Sequence, residues 1–371
     1  MTTPPTVLFN APNHVGLGHI ARLSAVALAL REMDGNIRSI FAIEGASHAL
    51  VDALGLPFVA LPSGHRMHKT LDWAAWSERE RSILSLQISR SLVRSINPQL
   101  AVFDCFPSRA VITAASQHNI PAILFLREMQ DFSRYLTLVK DSLEHVALIL
   151  VPHDAGSFRV PEVIRMKSCF IGKVVRPFSR GPTPVRDPDR PRIVITGGGG
   201  GFPETVCFYN LAMKALLELR RSFPFLEGSL IAGPLFREWQ RLELIRGIRV
   251  IPFEADTLGA FCRADLVISA SGYNTAAELE QVGVKTIFVP GPTKSDNQYT
   301  RAKQLASTHA CVECFDGSSA IELARLAHNL LSRMIDVDNE PPAGAKKAAA
   351  ILSSILSGLP ISAIVDQHLV A

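Results

Sequence analysis

The chain has 371 residues, 47% of them hydrophobic and 19% charged, with a formal net charge of +4. That is long enough for two ordinary domains with separate cores, and the mild basicity, spread rather than clustered, argues against a nucleic-acid partner. MTTPPTVLF lacks the basic and long apolar regions of a secretory signal, and no run approaches the roughly 20 apolar residues of a membrane span.

A cytoplasmic location is therefore expected; basic and apolar surface near the N-terminal domain is compatible with loose contact with an anionic membrane. Of six cysteines, Cys105, Cys169, Cys207, Cys262 and Cys311 sit in apolar contexts that suit buried free thiols. Cys311 and Cys314 form a C-x-x-C with no second pair and no nearby histidine cluster, which reads as a plain strand rather than a zinc or redox site.

In chain order, the first predicted strand, Thr6 to Ala11, leads through a loop with Gly16 and Gly18 into a helix from about His19 to Met33. Glycines there let backbone approach a ligand, and His19 stands where the strand ends, either as a base or as an exposed turn residue. His14 in the same loop is placed on the acceptor side. Strands follow at Ser39 to Ile43, Leu100 to Asp104, Ala122 to Leu126 and Ala147 to Val151, with a helix at Arg109 to His118. Asp104 ends its strand at the rim expected for His19. It can orient the imidazole as that ring takes a proton, or serve only as a helix N-terminal aspartate. In LFLREMQDF, Arg127 and Glu128 end another strand, where they bind an acceptor or pair with each other.

The stretch VVRPFSRGPTPVRDPDRPR is dense in proline and charge and reads as a linker. Its Asp187 and Asp189 form a D-x-D among prolines rather than after an apolar strand, so no metal site is expected. Strands resume at Arg192 to Thr196, Gly228 to Ala232, Ile248 to Pro252, Leu266 to Ser269 and Thr286 to Pro290, and an Ala-rich helix is predicted over Ala345 to Leu356. The expected division is residues 1–178, a linker over 179–191, a second domain over 192–338 and a helical tail over 339–371. Alternating strands and helices predict two α/β, doubly wound, Rossmann-like domains with a ligand cleft between them.

Gly197 to Gly201 precede a long helix, a pattern suited to cradling a diphosphate, with a flexible loop as the alternative. Phe253 and Glu254 lie just past a strand, where an aromatic edge and a backbone amide can hold a base, with a core phenylalanine as the alternative. In SGYNTAAE, the helix start at Gly272, Asn274 and Thr275 offers free N–H groups to phosphate, and Glu278 one turn inside offers a carboxylate to ribose hydroxyls. Thr275 to Glu278 also fits T-x-x-E, a capping box that would only close its own helix.

Assembled, these segments resemble the GT-B glycosyltransferases, particularly glycosyltransferase family 28 and a related bacterial group with GLGHxxR and GYNTxxE. The match is carried by GLGHIAR at Gly16 to Arg22, LREMQD at Leu126 to Asp131, the glycine run and SGYNTAAE at Ser271 to Glu278. The resemblance implies that Glu278 binds the donor ribose, that Gln298 contacts the donor sugar, that Gly198, Gly199 and Gly200 approach the diphosphate, and that transfer is inverting and metal-independent. Two departures stand out. Arg301 occupies the place of Asn in the family's Q-x-x-N-A ending, and the N-terminal loop lacks the fuller GGTGGH run.

The expected activity is hexosyl transfer from a nucleoside-diphosphate sugar, with UDP the leading candidate, to a hydroxyl-bearing small-molecule, carbohydrate or lipid acceptor, without a cofactor. His19 and Asp104 are the catalytic candidates. The competing expectations are a UDP-sugar hydrolase on the same fold and a noncatalytic nucleotide-sugar-binding protein.

Overall fold

The computed structural model describes residues 4–45, 47–62, 76–178, 186–291, 296–335 and 342–368. The expected linker's first residues, 179–185, and the ends of the expected tail lie outside the described residues. The chain forms two compact units: Met1–His14 with His19–Pro177 and Pro342–Ala371, and Val15–Gly18 with Phe178–Pro341.

The first unit is built on a seven-stranded sheet in the order β3-β2-β1-β4-β5-β6-β7, where the strands are β1 (Thr6–Asn13), β2 (Arg38–Gly45), β3 (Phe58–Leu61), β4 (Leu100–Asp104), β5 (Ala122–Phe125), β6 (Val146–Val151) and β7 (Ser168–Phe170). Every pairing is parallel. Its helices are α1 (Gly18–Met33), which begins at the last residue counted with the second unit, α2 (Ala49–Ala53), α3 (Glu78–Ile96), α4 (Arg109–Gln117), α5 (Phe132–Leu143) and α6 (Glu162–Arg165). A parallel sheet is covered on both faces, which is why β1 is buried along its whole length and β4 likewise. On one face Leu8, Phe103 and Leu124 pack with Val93 of α3, Val111 and Ile112 of α4, and Tyr135 of α5.

The second unit has a six-stranded sheet in the order β10-β9-β8-β11-β12-β13, again all parallel. Its strands are β8 (Arg192–Thr196), β9 (Glu227–Ile231), β10 (Ile248–Ile251), β11 (Leu266–Ser269), β12 (Thr286–Phe288) and β13 (Val312–Cys314). Its helices are α7 (Thr205–Leu219), α8 (Thr257–Arg263), α9 (Tyr273–Val282), α10 (Gln298–Thr308) and α11 (Ala320–Ser332). Ile195, Leu230 and Ile268 pack on one face with α7 and α11, and Val194, Val267 and Phe288 on the other with Phe261 of α8, Leu279 of α9 and Ala302 of α10.

Both sheets reverse strand order, at β1/β4 and at β8/β11. A crevice opens at the carboxyl ends of strands where crossovers diverge to opposite faces, and that is where ligands bind in open parallel sheets. The loops at these two reversals carry His19, Asp104, the glycine run and the SGYN turn.

The α/β doubly wound expectation is met in both units, and the C-x-x-C lies on a plain strand end. Two local readings change. Cys207 is exposed, because it occupies the outward side of α7 while Val206 and Tyr209 face inward. Thr275 and Glu278 form no capping box, since α9 begins one turn earlier with Gly272 as its N-cap and no side-chain cap. The nineteen-residue α3 carries little apolar signal, because its charged sequence buries only Ser89 and Val93. Among the described residues no helix is long and apolar enough to cross a membrane.

The C-terminal helices α12 (Gly344–Leu356) and α13 (Ile361–His368) belong to the first unit. Gly344 N donates to Lys173 O at 3.2 Å, and a Cβ on Gly344 would collide with the carbonyls of Gly172 and Lys173. Gly344→Ala therefore overpacks a backbone-to-backbone seat. The expected loss is about 1–3 kcal/mol, read from the urea midpoint at unchanged m value.

Candidate functional site

At the end of β4 in the first unit, Asp104 is fully buried and holds two partners from α1. His19 Nδ1 lies 2.8 Å from Asp104 Oδ2, and Arg22 Nη1 donates to Oδ1 at 2.6 Å and Oδ2 at 2.7 Å. The i, i+3 spacing of His19 and Arg22 puts both on one face of α1. Asp104 is thus no helix N-terminal aspartate, since α4 starts after Ser108.

Burial alone would raise the carboxyl pKa of Asp104, but the Arg22 charge and the His19 hydrogen bond outweigh it and hold the group below its usual range. An ionised Asp104 makes Nδ1 of His19 the protonated nitrogen, which leaves the Nε2 lone pair as the basic position. Burial pulls the His19 pKa down, and the Asp104 hydrogen bond, with help from Cys105 and the Asp104 charge, carries it up to about 9. His19 keeps a quarter of its side-chain exposure, so the ring remains reachable. Phe106 meets its edge at 6.3 Å between centroids.

The turn after β4 is strained. Cys105 has φ 54°, left-handed for a residue with a Cβ, and Phe106 N donates to Asp104 O at 2.6 Å across it. Tyr135 OH on α5 holds the turn by donating to Cys105 O at 2.5 Å. Donor atoms of His19, Asp104 and Cys105 lie within 4.8 Å of one another, a spacing a metal ion could span. The set does not suit a cation, because the Arg22 guanidinium already touches both Asp104 oxygens and the Cys105 thiol donates to Oδ1 at 3.6 Å.

Farther along the same rim, Arg127 and Glu128 follow β5. Arg127 Nη1 bonds the Glu128 carbonyl at 2.9 Å rather than its carboxylate, and Glu128 N donates to His153 Nε2 at 3.1 Å. Asp131 of the LREMQD motif is the N-cap of α5, accepting from Arg134 N at 2.9 Å. His14 lies half-buried just past β1.

In the second unit, the glycine run joins β8 to α7. Gly198 and Gly200 have φ of 71° and 78°, and a Cβ on Gly200 would run into the Ala232 carbonyl. Gly199, Gly200 and Gly201 are buried, and a Cβ on Gly199 would lie 2.8 Å from Leu17 N of the glycine-bearing Val15–Gly18 segment. The run is a packed turn rather than a flexible one. Tyr209 on α7 clamps it: its hydroxyl accepts from Gly197 N at 3.1 Å and donates to Ala232 O at 2.6 Å.

Beside it stands the N-terminus of α9. A Cβ on Gly198 would sit 3.6 Å from Thr275 Oγ1, while the Cβ direction of Gly272 is open. Asn274 Nδ2 donates to Gly18 O at 2.6 Å. The N–H groups of the first helical turn have no partner within their helix and carry the positive end of its dipole. Glu278, 7% exposed, accepts from Thr257 Oγ1 at 3.2 Å, which ties α9 to the start of α8. Gln298 opens α10; its Oε1 accepts from Gly291 N at 3.2 Å and its carbonyl from Ser271 Oγ at 2.8 Å. Phe253 lies half-buried two residues past β10, and Glu254 Oε1 accepts from Asp256 N at 2.9 Å.

Sequence alone placed Arg22 only in the GLGHIAR motif and Cys105 only among the buried thiols, and gave no role to Tyr209 or Thr257. Arg22 had two local signals, the GLGHxxR motif and its helical spacing from His19; Tyr209 and Thr257 act through partners distant in the chain.

The glycosyltransferase family 28 C-terminal domain matches residues 193–352. The UDP-N-acetylglucosamine–N-acetylmuramyl-(pentapeptide) pyrophosphoryl-undecaprenol N-acetylglucosamine transferase of Solibacter usitatus (strain Ellin6076) is 27% identical over 353 residues, covering 91% of this chain and 93% of that protein. The chain is a family 28-like glycosyltransferase of the GT-B fold. Among solved structures, the kitacinnamycin glycotransferase shares this fold at a TM-score of 0.60 with 14% identity, over 99% of this chain and 98% of that one. A putative UDP-N-acetylglucosamine 2-epimerase from Listeria monocytogenes also aligns at 0.60, with 15% identity over 95% and 96%. Fold likeness alone therefore does not separate transfer from other sugar-nucleotide chemistry; the family 28 domain and the near full-length relative do.

The Tyr209 clamp in this glycosyltransferase has a measurable value. Tyr209→Phe leaves a half-buried N–H and a buried carbonyl without their shared partner, and should lower unfolding free energy by about 1–3 kcal/mol in denaturant titrations.

The His19–Asp104 pair makes stability depend on pH in two windows. The raised His19 pKa stabilises the fold fully below 6.5 and that contribution fades as pH climbs through about 9; the lowered Asp104 pKa stabilises above 3.8 and that contribution fades as pH falls through its folded value. Nitrogen-detected NMR should place His19 titration near 9 in the native chain. In Asp104→Asn it should fall, because burial then acts with little opposition.

Proposed function

We propose that the enzyme transfers a hexosyl group from a UDP-sugar to a hydroxyl of an acceptor bound to the first unit, with inversion and without a metal ion. His19 is the general base: its Nε2 takes the proton of the attacking hydroxyl while Asp104 holds Nδ1 and stabilises the imidazolium that forms. Arg22 keeps Asp104 ionised, so the ring stays in the productive tautomer. The hydroxyl oxygen bonds to the anomeric carbon of the sugar, and the bond from that carbon to the diphosphate oxygen breaks with its electrons leaving on UDP.

Backbone N–H groups at the start of α9, with Gly198 beside Thr275, are the proposed stabilisers of the departing diphosphate, supplying the charge compensation of a metal. Glu278 is assigned to the ribose hydroxyls, Gln298 to the sugar and Phe253 to the base. His14, Arg127 and Glu128 are assigned to the acceptor side. UDP as the nucleotide is supported by the donor named for the Solibacter usitatus relative. A cytoplasmic enzyme touching the membrane only peripherally belongs to the same reading.

The observation that carries the transferase over a hydrolase or a mere binding protein is the hydrogen-bonded His19–Asp104 pair in a chain whose near full-length relative is a transferase. Release of sugar from UDP-N-acetylglucosamine without acceptor, at a rate no acceptor improves, would instead mark a hydrolase.

His19→Ala should lower turnover by about 10²–10⁴-fold while leaving UDP affinity unchanged in calorimetry. Glu278→Ala should do the reverse, weakening UDP binding first; unaltered UDP affinity in that variant sinks the donor-site assignment. Because only neutral His19 accepts a proton, kcat should rise about tenfold per pH unit from pH 7 and level off near 9. In Asp104→Asn the acid limb should move to lower pH as the maximum rate falls.

A further inference from the structure

Arg301, on the first turn of α10, stands at the centre of a network that none of the chemical steps uses. Its Nη2 donates to Asp296 Oδ1 at 2.6 Å, and its Nη1 donates to Asp296 Oδ2 at 3.2 Å and to the Ser271 carbonyl at 2.8 Å. The guanidinium carbon also lies 5.5 Å from the centroid of the Tyr273 ring. The Arg301 and Asp296 side chains keep only 15% and 13% of their exposure.

A single cation thus joins the turn that precedes α9 to the residues that open α10. Gln298 is held in the same web, through Ser271 Oγ to its carbonyl and Gly291 N to its Oε1. Because the Gly291 partner is a donor, the Gln298 atom that meets it is the oxygen, and the amide Nε2 with its two hydrogens is directed elsewhere. A forked Arg–carboxylate contact with this little solvent fixes direction as well as distance, unlike an exposed ion pair.

We propose that the Asp296–Arg301 pair is a positioning device for the sugar half of the donor. It sets the Gln298 amide against the N-terminus of α9 so that Nε2 donates to an oxygen of the sugar while the helix holds the diphosphate. Arg301 touches neither substrate nor leaving group. The inference rests on the donor-site reading given under Proposed function.

The experiment compares UDP with UDP-N-acetylglucosamine by calorimetry. Arg301→Ala should weaken UDP-N-acetylglucosamine about tenfold or more and leave UDP within about twofold, because truncating one member of a shielded pair disturbs what that pair orients. Arg301→Lys keeps the charge without the fork and should recover only part of the loss. The exchange Asp296→Arg with Arg301→Asp should recover more than either single change, which loss of bulk packing would not allow.

Equal weakening of both ligands, or of neither, overturns the proposal. Should Arg301→Ala fail to fold, Arg301→Lys is read by the same split. Glu278→Ala serves as the reference: if it leaves UDP binding intact, the donor-site reading falls and takes the pair with it. If it weakens UDP while the Arg301 variants spare the sugar, only the pair proposal falls.

Discussion

The candidate base depends on a carboxylate with no exposed surface. Asp104 can remain charged inside the first unit only because Arg22 and His19 reach it from one face of α1. Removing either partner leaves a buried charge with less compensation, a far larger penalty than the loss of a surface pair. The same arrangement fixes the chemistry: an ionised Asp104 dictates the His19 tautomer, and the tautomer dictates which nitrogen faces an incoming hydroxyl. The strained turn at Cys105, which leads from β4 toward α4, is held by Tyr135.

The donor side is built on a different constraint. There, backbone must come close to backbone, and only glycine permits it: the run after β8 packs on the Ala232 carbonyl and on the Val15–Gly18 segment. Tyr209 supplies the missing hydrogen-bond partners, so a sequence that looks loose is rigid in place. Rigidity matters for a site that stabilises a leaving diphosphate with dipoles, since dipoles that need not reorganise during the reaction stabilise it most. Glu278 is tied to Thr257 by the same logic, and the web around Arg301 extends it to the start of α10.

Much of the architecture was legible in the chain. Near-continuous apolar runs at Thr6 to Ala11, Arg192 to Thr196 and Leu266 to Ser269 read directly as doubly buried strands, because parallel sheets hide both faces. Charged or very short elements were harder. Helix α3 presents charge over most of its surface, and β3 and β7 are too short for periodicity to register. The T-x-x-E at Thr275 left a capping box open as an alternative, and the preceding turn excludes it by starting α9 at Tyr273 and leaving Glu278 to a partner on α8. Cys207 shows the same limit, since an apolar neighbourhood in sequence says nothing about which side of a helix faces water.

Local chemistry determined by the sequence itself includes where strands stop, where glycine permits a turn, and hence which residues stand at a strand end or in the turn and helix start that follow: His19, Asp104, Gly198, Asn274 and Gln298. Those are consequences of spacing and backbone freedom, which act over a few residues. The partner each side chain holds was decided only by the tertiary structure. Asp104 meets His19 and Arg22 across 85 and 82 residues, Glu278 meets Thr257 across 21, and Tyr209 reaches Ala232 across 23. Such pairs arise from the order in which strands and helices stack, so the lowered pKa of Asp104, the raised pKa of His19 and the setting of the glycine turn exist only once the sheets have formed.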